Sequence, residues 1–132
     1  MVNLFPGVPA HCLCDKHLNS VLAEYNNLLM PSMRKGNFIR GYVINGCIDL
    51  PCMLLRVLDC MAESKRRGHK WSYPIPTTED IKLHGEYFDR YIDELKNPYF
   101  WGEERRMEMA EMNKRILMFR CPECRERIMK EM

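Results

Sequence analysis

The chain has 132 residues, of which 46% are hydrophobic and 29% are charged, and its formal net charge is +2. This length allows one domain with its own core, and the composition excludes a disordered chain and a membrane protein. The first residues lack the basic start and long apolar core of a signal peptide, and no apolar run reaches the roughly 18 residues that span a bilayer. We therefore expect a cytoplasmic protein without a membrane partner, in the host cytoplasm if it is viral.

The first predicted helix runs from about Asp15 to Leu29 and stops before Pro31. Its leucine, valine and tyrosine side chains recur at the spacing of an apolar stripe. His17 and Glu24 are seven residues apart, which is two helical turns, so both lie on the polar side. The pattern predicts an amphipathic helix that presents a histidine and a carboxylate on one face.

Four further helices are predicted from the prolines, acidic residues and basic residues at their ends. In chain order they are Pro51 to Arg67, Thr77 or Thr78 to Asn97, Glu103 to about Arg120, and a short helix from Pro122. Strand signals are limited to Tyr42–Asn45. The sequence therefore predicts a mainly α fold, a compact single domain over residues 1–132 with four to five helices and little or no strand.

Basic residues concentrate in two segments without acids, whereas the acids concentrate later in the chain. Such asymmetry lets one face meet a polyanion, although the same runs also fit ordinary solvated helix ends. The predicted phosphate contacts are Arg34, Lys35, Arg40, Lys65, Arg66, Arg67 and Lys70, and the candidate wedge between bases is Trp71 or Trp101.

The seven cysteines are predicted to be reduced thiols, because their number is odd and several have apolar neighbours. Cys12 and Cys14 together with Cys121 and Cys124 can close a tetrahedral zinc site. Two features argue against that site: the Cys-x-Cys spacing is a less common knuckle, and no glycine follows Cys124. The sequence therefore predicts no metal and no cofactor, while zinc binding by these four residues stays an open alternative.

The segment "LCDKHLNSVLAEY" resembles the first helix of the phage pyrimidine-dimer DNA glycosylase family of the endonuclease V type. In that family an aspartate, a spacer and a histidine are followed seven residues later by the catalytic glutamate, and those positions fall on His17 and Glu24. Thinner likenesses lie in "VNLF", "VLDCMAESKRRGHKW" and "EMNKRILMFR". Ala23 and Asn27 stand where family members carry DNA-holding arginines, and the block with paired phenylalanines is missing, which bears on recognition of a thymine dimer.

The resemblance implies a DNA repair glycosylase with AP-lyase activity on double-stranded DNA that carries a damaged or modified base. Removal of Met1 exposes the α-amine of Val2 as the nucleophile, and such an amine, with a pKa of about 7.7 to 8.0, is partly neutral in the cell. Glu24 stabilises positive charge on the sugar and shuttles protons, and His17 orients the phosphate or sugar or holds Glu24. We expect a monomer.

Two alternatives remain open beside a pyrimidine-dimer enzyme. One is a non-catalytic module that binds nucleic acid or protein, which Ala23 and Asn27 favour, whereas His17 and Glu24 at the matching spacing favour an enzyme. The other is a glycosylase for a different modified base, which the altered arginine positions suit.

Overall fold

The structure is a computed structural model that describes residues 3–35, 47–49, 52–69, 76–95 and 103–131. Within these ranges the regular structure is helical and there is no strand, so the prediction of a mainly α fold is confirmed. The strand signal at Tyr42–Asn45 lies outside the described residues. None of the helices in the described ranges is both long and apolar enough to cross a bilayer.

Six α-helices lie in the described ranges. Their bounds are α1 (Asp15–Glu24), α2 (Met30–Arg34), α3 (Met53–Arg66), α4 (Thr78–Leu95), α5 (Glu103–Arg120) and α6 (Pro122–Lys130). A 3-10 turn at Ala10–Cys12 precedes α1, and a π-helical turn at Tyr25–Leu29 joins α1 to α2. Counted as one continuous helix, α1 and α2 give five helices in the described part of the chain, within the predicted range.

The expected end of the first helix before Pro31 is wrong, because the chain stays helical to Arg34. A proline inside an α-helix lacks the N–H for its hydrogen bond, and its ring collides with the carbonyl four residues earlier. Here the Met30 N–H bonds the carbonyl of Tyr25, five residues earlier, so the turn ahead of the proline is wider. Pro31 then falls in the first turn of α2, where proline is tolerated.

The start of α4 agrees with the prediction because its cap is local. The Asp80 N–H donates to Thr77 Oγ1 at 3.2 Å, and the Thr77 N–H donates to Asp80 Oδ2 at 2.9 Å. This reciprocal pair satisfies two N–H groups that the helix leaves unpaired at its start. The predicted ends of this helix at Asn97 and of the preceding one at Pro51 lie outside the described residues.

The core forms where α1 packs on α3 and α5 packs on α6. The amino-terminal segment, which comprises residues 3–9, lies between them. Leu4 and Val8 of that segment are as fully buried as helix residues such as Leu18 and Leu117. Burying one such aliphatic side chain contributes about 1.5 to 3 kcal/mol. The first residues of the chain are therefore an integral part of the core.

Candidate functional site

Arg56 of α3 holds the amino-terminal segment from one side. Its Nε donates to the Leu4 carbonyl at 2.9 Å, and its Nη1 donates to the Val8 carbonyl. The Leu4 N–H in turn donates to the Cys47 carbonyl at 2.9 Å. Burial of the guanidinium lowers the pKa of Arg56.

Asn113 of α5 holds the same segment from the other side. It is completely buried, its Nδ2 donates to the Pro6 carbonyl at 3.2 Å, and its Oδ1 accepts from Asn3 Nδ2 at 3.4 Å. Gly7 permits the close approach to α5: its φ is +86°, and a Cβ on it would lie 2.4 Å from Ala110 Cβ. The path of the segment is therefore fixed by side chains far away in sequence.

Glu24 lies at the point where this segment meets α1. The Asn3 backbone N–H donates to Glu24 Oε2 at 3.1 Å. Val2 is joined to Asn3 by a peptide bond, so its nitrogen is separated from the Asn3 nitrogen only by its own Cα and carbonyl carbon. Val2 itself lies outside the described residues, but the Asn3 nitrogen to which it is bonded donates a hydrogen bond to the carboxylate of Glu24.

The surroundings of Glu24 suit a group that exchanges a proton. Burial raises the pKa of the Glu24 carboxyl, while the hydrogen bond from Asn3 and the positive charge of the amino terminus oppose that rise. A carboxyl whose pKa is brought towards neutrality can act both as an acid and as a base. Glu24 is also the last residue of α1 before the π-helical turn, a feature often found at functional sites.

His17 faces sulfur atoms. Its Nδ1 lies 3.1 Å from Cys14 Sγ and 3.5 Å from Cys124 Sγ, and its ring meets Phe5 edge-on at a centroid distance of 5.5 Å. The expected pairing with Glu24 is absent from the contacts that the structure describes. His17 and Glu24 share a helix and a face, but the structure brings His17 to a group of cysteines that joins both ends of the chain.

Arg67 is bound within the protein. Its guanidinium donates to Glu63 Oε2 at 2.8 Å, Asp15 Oδ1 at 2.9 Å and the Leu13 carbonyl at 2.7 Å, and its side chain is 12% exposed. The neighbouring Arg66 also pairs with Glu63, at 2.8 Å, but its side chain is 68% exposed. Of these two predicted phosphate contacts, only Arg66 presents its charge mainly to solvent.

The remaining predicted phosphate contacts divide between exposed and undescribed positions. Lys35 and Lys65 are exposed, and Arg34, which pairs with Asp80 at 2.9 Å, keeps a side chain that is 60% exposed. Arg40, Lys70, Trp71 and Trp101 lie outside the described residues.

A polar cleft of about 210 Å³ adjoins the π-helical turn on the side of α4. Tyr25 and Arg34 contribute to its walls, together with Asp80 at the start of α4. The Tyr25 hydroxyl lies 2.8 Å from His84 Nε2, and burial raises the pKa of Tyr25 to about 12. Tyr25, which follows Glu24 directly in the sequence, therefore stays neutral, and its hydroxyl offers a hydrogen bond at the wall of the cleft.

Sequence reasoning did not single out Arg56 and Asn113, which position the amino-terminal segment, because their partners are more than 40 residues away. It also paired Cys14 with Cys12 and overlooked that Cys14 and His17 have the same x-x spacing as Cys121 and Cys124. That repeated spacing is the sequence signal that could have indicated Cys14 and His17 as a pair.

Comparisons of the chain with family models, with curated proteins and with solved structures gave no match.

Proposed function

We propose that the chain is a DNA repair glycosylase with AP-lyase activity, acting on pyrimidine dimers or another damaged or modified base. The nucleophile is the α-amine of Val2 after removal of Met1. The observation that carries the proposal is the 3.1 Å hydrogen bond from the Asn3 N–H to Glu24 Oε2, which ties a half-buried carboxylate to the residue next to that amine.

The chemistry begins when the neutral amine attacks C1′ of the damaged nucleotide. The bond between C1′ and the base breaks, and the base leaves with the electron pair and takes up a proton. Opening of the sugar ring then gives an imine between the amine and C1′, which splits one difficult step into two easier ones. Loss of a proton from C2′ expels the 3′ phosphate by β-elimination, and water finally releases the amine.

Glu24 has two tasks in this sequence. As a carboxylate it stabilises the positive charge that develops on the sugar as the base departs. As a group with a raised pKa it passes protons between the amine, the sugar oxygen and C2′. Arg56 and Asn113 act through position, because they fix the segment that carries the nucleophile.

The DNA partner is bound through its phosphates, and the exposed cations supply the contacts. Arg34, Lys35, Lys65 and Arg66 are the described candidates, whereas the internal bonds of Arg67 suit a supporting role for it. Displacing a base from the stack costs a few kcal/mol and costs least at a lesion, which favours damaged DNA as substrate.

A non-catalytic module that binds nucleic acid or protein is the second candidate. The observation that favours it is the contact of His17 with Cys14 and Cys124, which leaves Glu24 without the expected histidine partner. The two candidates differ in one measurable property, a covalent bond to abasic DNA.

Borohydride trapping tests the proposal. Untagged protein, with removal of Met1 verified by mass spectrometry, is mixed with a duplex that carries one abasic site and is then reduced. We expect a protein–DNA adduct, and peptide mapping should locate it on the amine of Val2. The matched control keeps Met1 or an added amino-terminal residue and should give little adduct. Absence of an adduct from the untagged protein, or attachment to a lysine in place of Val2, would reject the proposal.

A further inference from the structure

We propose that Cys14, His17, Cys121 and Cys124 bind one Zn²⁺ ion that joins the two ends of the chain. The three sulfur atoms and a ring nitrogen of the histidine all lie within 4.8 Å of one another. Cys14 and His17 belong to the start of α1, whereas Cys121 and Cys124 belong to the junction of α5 and α6, 107 residues away from their partners.

The separations of the donor atoms fit one tetrahedral ion. With Zn–S bonds of about 2.3 Å and a Zn–N bond of about 2.05 Å, a tetrahedron has sulfur atoms roughly 3.8 Å apart and sulfur and nitrogen roughly 3.6 Å apart. Cys14 Sγ and Cys121 Sγ are 3.8 Å apart, and His17 Nδ1 lies 3.1 Å from Cys14 Sγ and 3.5 Å from Cys124 Sγ. A two-iron cluster would spread the same four donors over two metal atoms.

Backbone N–H groups already point at the sulfur atoms. The Cys14 N–H donates to Cys124 Sγ at 3.3 Å, and the Cys124 N–H donates to Cys121 Sγ at 3.4 Å. Cys121 is the N-cap of α6, so its sulfur lies at the positive end of the helix dipole. These donors stabilise thiolates, the form in which cysteine binds a metal.

The donor set identifies the metal and its role. Three thiolates and one imidazole in a tetrahedron are typical of structural zinc sites, and four protein ligands leave no open position for a substrate. His17 and Glu24 are seven residues apart, which is roughly 10 Å along the helix, so the ion would not take part in chemistry at Glu24. Binding forms three Zn–S bonds and one Zn–N bond and releases the thiol protons, without a redox change.

Only three of the seven cysteines, all of which the structure describes, belong to the cluster. Cys12, Cys47 and Cys60 are buried like Cys14 and Cys124, and Cys52 is half-buried like Cys121, yet none of these four is part of it. Cys12 lies in the 3-10 turn that precedes α1, whereas Cys14 is the N-cap of α1 and stands one helical turn from His17. The proposed half-site is therefore Cys14 and His17, in place of the Cys12–Cys14 pair considered from the sequence.

Metal analysis of the untagged protein tests the proposal without DNA. We expect about one zinc per chain after purification under reducing conditions without chelator. Replacement of zinc by Co²⁺ should give intense visible bands of tetrahedral cobalt and a near-ultraviolet band from thiolate-to-cobalt charge transfer. No bound metal together with no cobalt bands, a mass lower by two hydrogens from a disulfide, or an iron–sulfur chromophore would each overturn it.

Three variants separate metal binding from folding. Cys121→Ser should lower zinc affinity at least about 100-fold, because a ligand is lost. His17→Cys should keep zinc binding and strengthen the charge-transfer band of the cobalt form, which merely structural damage would not do. Cys12→Ser, a buried cysteine outside the cluster, should keep full zinc content. Loss of zinc from Cys12→Ser with retention in Cys121→Ser would reject this ligand set.

Discussion

Asn3 and Glu24, 21 residues apart in sequence, are joined by a hydrogen bond of 3.1 Å from the backbone N–H to Oε2. This bond brings the start of the chain to the end of α1, so Glu24 lies against the residue that follows the proposed nucleophile, the α-amine of Val2. It also makes their roles separable by mutation.

Glu24→Gln should slow catalysis strongly while the fold persists. The amide oxygen can still accept the hydrogen bond from Asn3, so we expect an unchanged thermal midpoint, whereas loss of the charge and of proton transfer should slow base release by about 100-fold or more. Single-turnover release of the base from a lesion-containing duplex measures the effect. Glu108→Gln, at an exposed position of α5, is the matched control and should leave the rate unchanged. Equal rates in the two variants would remove Glu24 from the mechanism.

Asn113→Ala should loosen the amino-terminal segment. The substitution leaves the Pro6 carbonyl without its buried donor, which costs about 1 to 3 kcal/mol of unfolding free energy. Trapping of abasic DNA should fall further than the fraction of unfolded protein explains, because the nucleophile is no longer held. Urea denaturation and adduct yield are measured on the same sample. Asn19→Ala, at an exposed position of α1, serves for comparison, and an equal loss of adduct in both variants would contradict the positioning role.

Arg66→Ala should weaken DNA binding with little effect on folding stability, whereas Arg67→Ala should lower folding stability. Arg66 is mostly exposed, so its loss should change stability by less than about 0.5 kcal/mol but should make the salt dependence of DNA binding shallower by about 0.9 in log–log slope. Arg67 binds Glu63 and the Leu13 carbonyl, so its loss should cost about 2 kcal/mol.

Urea unfolding and DNA titrations at several salt concentrations distinguish the two arginines. Four exposed cations predict a total slope of roughly −4 for the unaltered protein. A flat titration would argue against phosphate binding, and a sequence-selective loss of affinity in Arg66→Ala would indicate base contacts instead.

Stability should decrease in mildly acidic solution because of His84. Burial lowers the pKa of His84 below the ordinary value of 6.5, although Asp80 opposes this change. Between its lowered value and 6.5 the unfolded chain binds more protons than the folded chain, so the free energy of unfolding falls as the pH falls through 6.5 and is unaffected above it. His84→Gln keeps a hydrogen-bonding partner for Tyr25 and should flatten this dependence, as measured by urea unfolding at pH 5 to 8. An identical pH profile in the variant would refute the assignment.

The parts of the fold that local chemistry determines were predictable from the sequence. Thr77, Glu103 and Pro122 mark helix starts that the structure reproduces, because caps and first-turn residues act within a few positions. The wide turn ahead of Pro31 was not predictable, since periodicity assumes one constant helical pitch.

The candidate site likewise has features that local sequence patterns predict and others that depend on distant contacts. Periodicity correctly put His17 and Glu24 on one helix, but the partners of each were decided by segments far away in sequence. His17 meets Cys124, and Asn3 meets Asn113, across more than 100 residues. No spacing rule within one helix can select among such partners, which is why the sequence assigned both residues to a single centre.

The contact of Asn3 with Asn113 has a consequence for the order of events during synthesis. Asn113 lies 110 residues after Asn3 and must be translated before the contact can form, which takes roughly 5 to 20 s at ribosomal speed. Under the proposed function, an aminopeptidase has that interval in which to remove Met1 from the nascent chain. A chain that kept Met1 would lack the free α-amine of Val2 on which the proposed chemistry depends.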